Sequence, residues 1–374
     1  MTSTEVEIDP YPYTDFAGLA FPPQFAADAL RISAQTLKII ERDNGLKISR
    51  IARGSVEVRS YSLHDIFQIA RIRRESKHIK GFPRPITISV FVPKGGTAKT
   101  TTTCNLAIQF SLMGLKVLVI DNDQQADVST MMGYDPDLTP EELIEIGIPG
   151  DRAINGHVGN LMRVGNFYKP MTLDEVVKKP FGEFGPHLIP AEDSLDDMDS
   201  ALRSANGSDF RYSLFFEQAR SGAMEHCNLS DYDVIIMDNA PAGSLLSRNS
   251  MVAADFLVCP IRMDKFSFRA LSRLAYRLSE FAKDFKRAPE IVAIPTMYVR
   301  NRPRIERNMA NLVSLFPGKV TESRLYLSED YSKSLEDGIP LSLWRQGTEN
   351  SLGAMREVFD EFVTRIRAAT EITK

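Results

Sequence analysis

The chain has 374 residues, 43% apolar and 25% charged, and carries a formal net charge of -4. That is ordinary soluble globular composition, long enough for one large domain plus a small one. Three scattered cysteines, Cys104, Cys227 and Cys259, with no C-x-x-C, exclude a disulfide framework or metal cluster, and no apolar run reaches the length of a membrane span.

The start, MTSTEVEIDPYPYTDF, is acidic and polar, without a basic or apolar leader region, which predicts a cytosolic protein. Charge then turns sharply. Between Gln24 and Arg84 stand 13 Lys and Arg against 6 Asp and Glu, a net +7, so a basic module precedes an acidic remainder. Such asymmetry points the basic part at nucleic acid.

Residues 1–23 read as an arm, 24–74 as the basic module and 75–85, ESKHIKGFPRP, as a linker. Within the module QFAADALRI predicts a short helix, and ISAQ a turn in which Ser33 caps the next helix. AQTLKIIERD predicts that second helix, burying Leu37 and Ile40. LKISRIARGSVEVRSY alternates about Gly54-Ser55 and predicts a hairpin. Ser62 to Asp65 has capping-box spacing and opens a third helix with Ile66, Ile69 and Ile72 on one side. Helix, turn, helix, wing and helix in this order resembles the winged helix-turn-helix of MerR-type regulators and of the operator-binding domain of larger, plasmid-type ParA proteins. In such a module the second helix enters the major groove. The resemblance therefore makes Gln35, Thr36, Lys38 and Arg42 candidates there, with Arg53 and Arg59 of the wing on phosphate or minor groove. A solvated basic face is the other reading of these charges.

Residues 86–374 open on ISVFVPKGGTAKTT, in which a β-branched run stops at a glycine-bearing loop and restarts as a helix. Gly95 and Gly96 let several N–H groups point into one cavity, at a helix N-terminus that favours an anion. Lys99 adds a charge toward the β- and γ-phosphates, and the Thr100 hydroxyl is placed to ligate Mg²⁺. Lys94 and Ala98 stand where the usual phosphate loop has glycines; Ala98 adds only a methyl, and binding is expected to survive it.

The pattern K-G-G-x-x-K-[ST] resembles the deviant Walker A of the ParA/MinD family of dimeric ATPases. That resemblance implies that Lys94 crosses to the partner subunit's phosphates, with residues Lys94, Gly95, Gly96, Thr97, Ala98, Lys99, Thr100 and Thr101 around ATP. LKVLVIDND predicts a second buried strand ending in Asp121 and Asp123. The family writes D-x-D-P-Q there, and Gln124 replaces the proline, which loosens the loop. By resemblance Asp123 orients the attacking water and Asp121 lies near the Mg²⁺ shell; two acids ending a strand also serve as an N-cap pair. DYDVIIMDNAPAG predicts a third strand delivering Asp238 toward Mg²⁺, matching the family's D-x-x-P with Pro241.

Further along, FLVCPIRMDKFSFRALSRLAYRLSEFAKDFKRAPEIVAIPTMYVRNR predicts strand, loop, helix, strand and loop. Tyr298, Arg300 and Asn301 are candidates for adenine, and Lys283, Lys286 and Arg287 form a basic helix end that suits DNA or simply the helix C-terminus. No motif gives residues 134–190 a role. The closing amphipathic helix mixes acids with bases and is expected to pack on the sheet rather than a membrane.

The fold implied is α/β: a P-loop NTPase with a mostly parallel sheet flanked by helices, preceded by a small winged helix-turn-helix domain. The function implied is a cytoplasmic, nucleoid-associated partition ATPase using ATP and Mg²⁺. It would form a homodimer, bind operator and non-specific DNA, and answer to a centromere-binding ParB-type partner. A nucleotide-sensing transcriptional regulator is the alternative.

Overall fold

A computed structural model describes residues 15–371 apart from 166, 264–267 and 286–287. Helix α1 (Pro23–Leu30) ends at Arg31 in the left-handed region, and Ser33 caps helix α2 (Ala34–Asp43) by accepting from the Thr36 amide at 3.0 Å. Strands β1 (Ser49–Arg53) and β2 (Val56–Ser60) pair antiparallel with Arg53 opposite Val56, so the hairpin turns on Gly54 and Ser55. Ser62 and Asp65 exchange both bonds of a capping box and start helix α3 (Leu63–Glu75).

Strands β3 (Ile86–Val90), β4 (Val117–Asn122), β5 (His187–Ile189), β6 (Val234–Asn239), β7 (Phe256–Arg262) and β8 (Glu290–Thr296) form one sheet in the order β5-β4-β6-β3-β7-β8. Every pairing in it is parallel. β3, β4 and β6 are buried along their whole length, as their unbroken Val and Ile runs require of strands covered on both faces. The chain leaves β3 toward β4 and β6 on one side and reaches β7 and β8 on the other, so β3 is the switch point of the sheet.

Helix α4 (Lys99–Leu112) lies on one face, where the C-terminal helix Glu349–Glu371 covers it: Phe110 meets Phe359 and Phe362 edge-on, and Phe362 meets Phe256 of β7. The expected packing of that last helix on the sheet is what the molecule has. Among the described residues no helix is long and apolar enough to cross a membrane.

One apolar core runs without a break from Phe16, Leu37, Ile66 and Phe67 of the N-terminal part to Ile88, Phe110 and Phe362 of the sheet layers. At the seam Gly114 turns with φ +75°, so close to α3 that an added Cβ would lie 2.4 Å from the Ala70 carbonyl oxygen. Beside it Arg74 grips Asp233, at the foot of β6, with two bonds of 2.5 and 2.7 Å. Residues 178–184 close the seam from the other side: the Phe181 ring lies 4.6 Å from Phe16 and 6.2 Å from Phe67, and Phe184 sits 5.2 Å from His64.

Candidate nucleotide site

The phosphate loop leaves β3 at the switch point, where a parallel sheet opens its crevice. Gly96 takes φ +65° and Ala98 φ +71°, which folds the loop tightly before α4 begins at Lys99. Gly95 has no atom within 4 Å of where a Cβ would stand, leaving space for a ligand to approach the backbone. A cavity of about 790 Å³ is lined by Gly95 through Thr101, Asp123, Asp127 and Pro241 at this end.

The Lys99 side chain is enclosed at the head of α4, and the Thr100 hydroxyl stands 3.3 Å from Asp238, the carboxylate that β6 delivers. Thr103 donates to the other Asp238 oxygen at 2.6 Å. Register places Asp121 of β4 directly beside Asp238. Burial raises both acids against their ordinary range: Asp238 to about 7 and Asp121 to about 8, the latter pushed further by Asp238.

The two candidate acids of β4 and its following loop then part company. Asp123 lines the cavity and accepts the Gln125 amide at 3.1 Å. Asp121, expected near the metal shell, does not line the cavity: it takes the Asp123 amide at 3.1 Å and the amide and hydroxyl of Ser129 at 2.9 and 2.8 Å. It holds the loop that carries Asp123. Lys94 is half-buried and is not part of the cavity wall formed by its own chain.

The far end of the cavity is formed by Met131, Asp135 to Asp137, Met297, Leu325, Tyr326, Tyr331 and Leu335. Tyr298, Arg300 and Asn301, the sequence candidates for the base, do not line it. The Tyr298 ring faces Arg324 at 4.5 Å, and Arg300 stacks on Tyr326 at 4.5 Å. The apolar wall comes from their neighbours, one residue off in a turn where Met297 has φ +51°. Sequence reasoning also missed Asp127, Arg262 and Thr296, which border the loop; their only signal is position at a strand or helix end.

On the N-terminal part, Gln35, Thr36, Lys38 and Arg42 all lie on the exposed side of α2, opposite the buried Leu37. Thr36 shares its hydroxyl with Ser33 at 2.8 Å, and Arg42 pairs with Asp43 at 2.9 Å. The Nε of Arg59 is bound at 2.9 Å to the buried carboxylate of Glu41, which also accepts from Tyr61, so Arg59 ties the wing to α2. The Arg53 side chain, Lys286 and Arg287 lie outside the described residues, and Lys283 pairs with Glu280 at 2.8 Å.

A family model described as AAA domain matches residues 86–291, more than half of the chain. The chain belongs to that family and is a ParA-type ATPase. The chromosome partitioning protein ParA of Caulobacter vibrioides is 24% identical over 71% of this chain and 90% of its own length. Among solved structures, a variant of Cyanothece McdA in complex with ATP has a TM-score of 0.58 at 20% identity, covering 77% of this chain and 97% of that one. A structure titled Partition Protein has a TM-score of 0.59 at 15% identity and covers 94% of both chains, so its fold likeness takes in the N-terminal part of this ParA-type chain as well.

Proposed function

We propose that this ParA-type ATPase drives DNA partition, and the observation that carries the reading is the phosphate loop at the switch point, with Lys99, Thr100 and Asp123 lining its cavity and Asp238 bonded to Thr100 from behind. Lys99 and the amides of residues 95–101 bind the phosphates of ATP. The oxygen donors Thr100 and Asp238 suit Mg²⁺. Mg²⁺ would supply charge neutralisation at the phosphates.

Asp123 orients a water whose oxygen attacks the γ-phosphorus as the bond to the β–γ bridging oxygen breaks, giving ADP and phosphate. Two subunits sandwich two nucleotides, and Lys94, absent from the wall of its own cavity, reaches the partner's phosphates. With no strong base at hand turnover is slow, and a ParB-type centromere-binding partner raises it. The ATP dimer binds DNA without sequence preference on the nucleoid, and the N-terminal module reads the operator through Gln35, Thr36, Lys38 and Arg42, with Arg53 and Arg59 of the wing assigned to phosphate or minor groove. The regulator alternative is favoured by one feature, the continuous core joining that module to the ATPase.

ATP hydrolysis by wild type and Lys94→Ala, with and without non-specific DNA and the product of the adjacent gene, tests the proposal. Turnover that rises with both additions and is lost in Lys94→Ala supports the partition dimer. Turnover indifferent to both, with operator binding that still depends on nucleotide, would favour the regulator.

A further inference from the structure

We infer that Arg262 and Thr296 are positioning residues for nucleotide binding, acting by fixing the phosphate loop's carbonyls and with them the direction of its amides. This rests on the reading of the cavity as a nucleotide site. The two are register partners at the carboxyl ends of adjacent parallel strands, β7 and β8. Neighbouring strands run about 4.8 Å apart and successive residues of a chain about 3.8 Å, so such a pair can reach two consecutive peptide groups. They do so: Arg262 Nη1 donates to the Gly96 carbonyl at 3.2 Å, and Thr296 Oγ1 to the Thr97 carbonyl at 3.3 Å.

In a trans peptide the C=O and the N–H of the next residue point in opposite directions. The Gly96 carbonyl shares its plane with the Thr97 amide, and the Thr97 carbonyl with the Ala98 amide. Fixing both oxygens from the strand side therefore aims both N–H groups the other way. The next carbonyl, that of Ala98, is taken by the amide and hydroxyl of Thr102 at 2.9 and 2.7 Å, which aims the Lys99 amide likewise. Three consecutive donors are oriented before any anion arrives, and no reorganisation is left for binding to supply. The Thr296 side chain is 1% exposed and Met297 begins the apolar wall, so one strand end sets both the phosphate and the base side of the cavity.

Calorimetric titration of Mg-ADP and of a non-hydrolysable Mg-ATP analogue into wild type, Thr296→Val, Arg262→Met and Arg262→Lys decides the matter. Thr296→Val, which removes a buried hydrogen bond, is expected to weaken both nucleotides about 5- to 10-fold, and Arg262→Met, which removes an exposed one, about 2- to 5-fold. Arg262→Lys should recover part of the loss, and melting of the nucleotide-free proteins should fall by no more than about 1–2 °C, the cost of the bond itself. Wild-type affinities in both Thr296→Val and Arg262→Met would overturn the inference. So would a loss confined to the ATP analogue, which marks a direct γ-phosphate contact. A wild-type protein that binds neither nucleotide removes the nucleotide reading itself.

Discussion

Ala98 holds φ +71° at the head of α4, a backbone region where a Cβ costs about 1–2 kcal/mol. The sequence showed the missing glycine but not the size of the strain, because φ is set by the loop's closure on Thr102. Ala98→Gly is expected to stabilise the protein by about 0.5–1 kcal/mol after the extra entropy of the unfolded glycine is counted. Thermal unfolding without nucleotide should show the melting temperature raised by roughly 1 °C; a fall would mean that the loop is not strained. Asp123→Asn leaves the cavity's shape intact and is expected to keep nucleotide binding while lowering turnover about 100-fold or more, read by titration beside steady-state ATPase assay. Of the paired carboxylates only this distinction was hidden in the sequence. Asp121 and Asp123 look alike as letters, and Ser129, eight residues on, decides which one faces inward.

At the scale of elements, the helix, hairpin and helix of the N-terminal part were legible because their signals are local: the caps Ser33 and Ser62, the two-residue turn, and a buried stripe at helical spacing. The destination of Arg59 was not, because Glu41 reads as a surface residue of α2 until the wing folds over it. Arg59→Met strands that carboxylate in a 6% exposed site and is expected to cost about 1.5–3 kcal/mol in chemical denaturation. Adding Glu41→Gln should return part of it, and additive losses would show that the pair is not coupled. The stretch from 134 to 190 offered no motif because what it does depends on tertiary contacts: it supplies β5, the Phe181 clamp on α3 and, through Asp135 to Asp137, part of the cavity wall. Phe181→Ala is expected to cost about 3–5 kcal/mol by the same measurement.

For the whole molecule, pH is the simplest probe of the assembled core. His157 and His187 are both almost wholly buried, and burial lowers each from 6.5 to about 4. They stay neutral in the fold while the unfolded chain takes up protons below about 6.5. The stability they contribute is therefore full above that pH and is lost as pH falls toward about 4, on the order of 3 kcal/mol each. Denaturation midpoints that stay level from pH 7 to 5 would contradict this, and His187→Gln should flatten the slope.

Local chemistry by itself determined where the phosphate loop, the β4 and β6 acids and the N-terminal helices lie, since glycine placement, strand-ending acids and caps act within a few residues. Tertiary structure alone decided which acid lines the cavity, where Arg59 goes, what braces the phosphate loop, and that the N-terminal part shares one core with the sheet. The first two depend on contacts beyond the reach of a local pattern, and the last two on residues distant in sequence, such as Thr296 with Thr97 and Arg74 with Asp233, whose meeting is set by strand order and register.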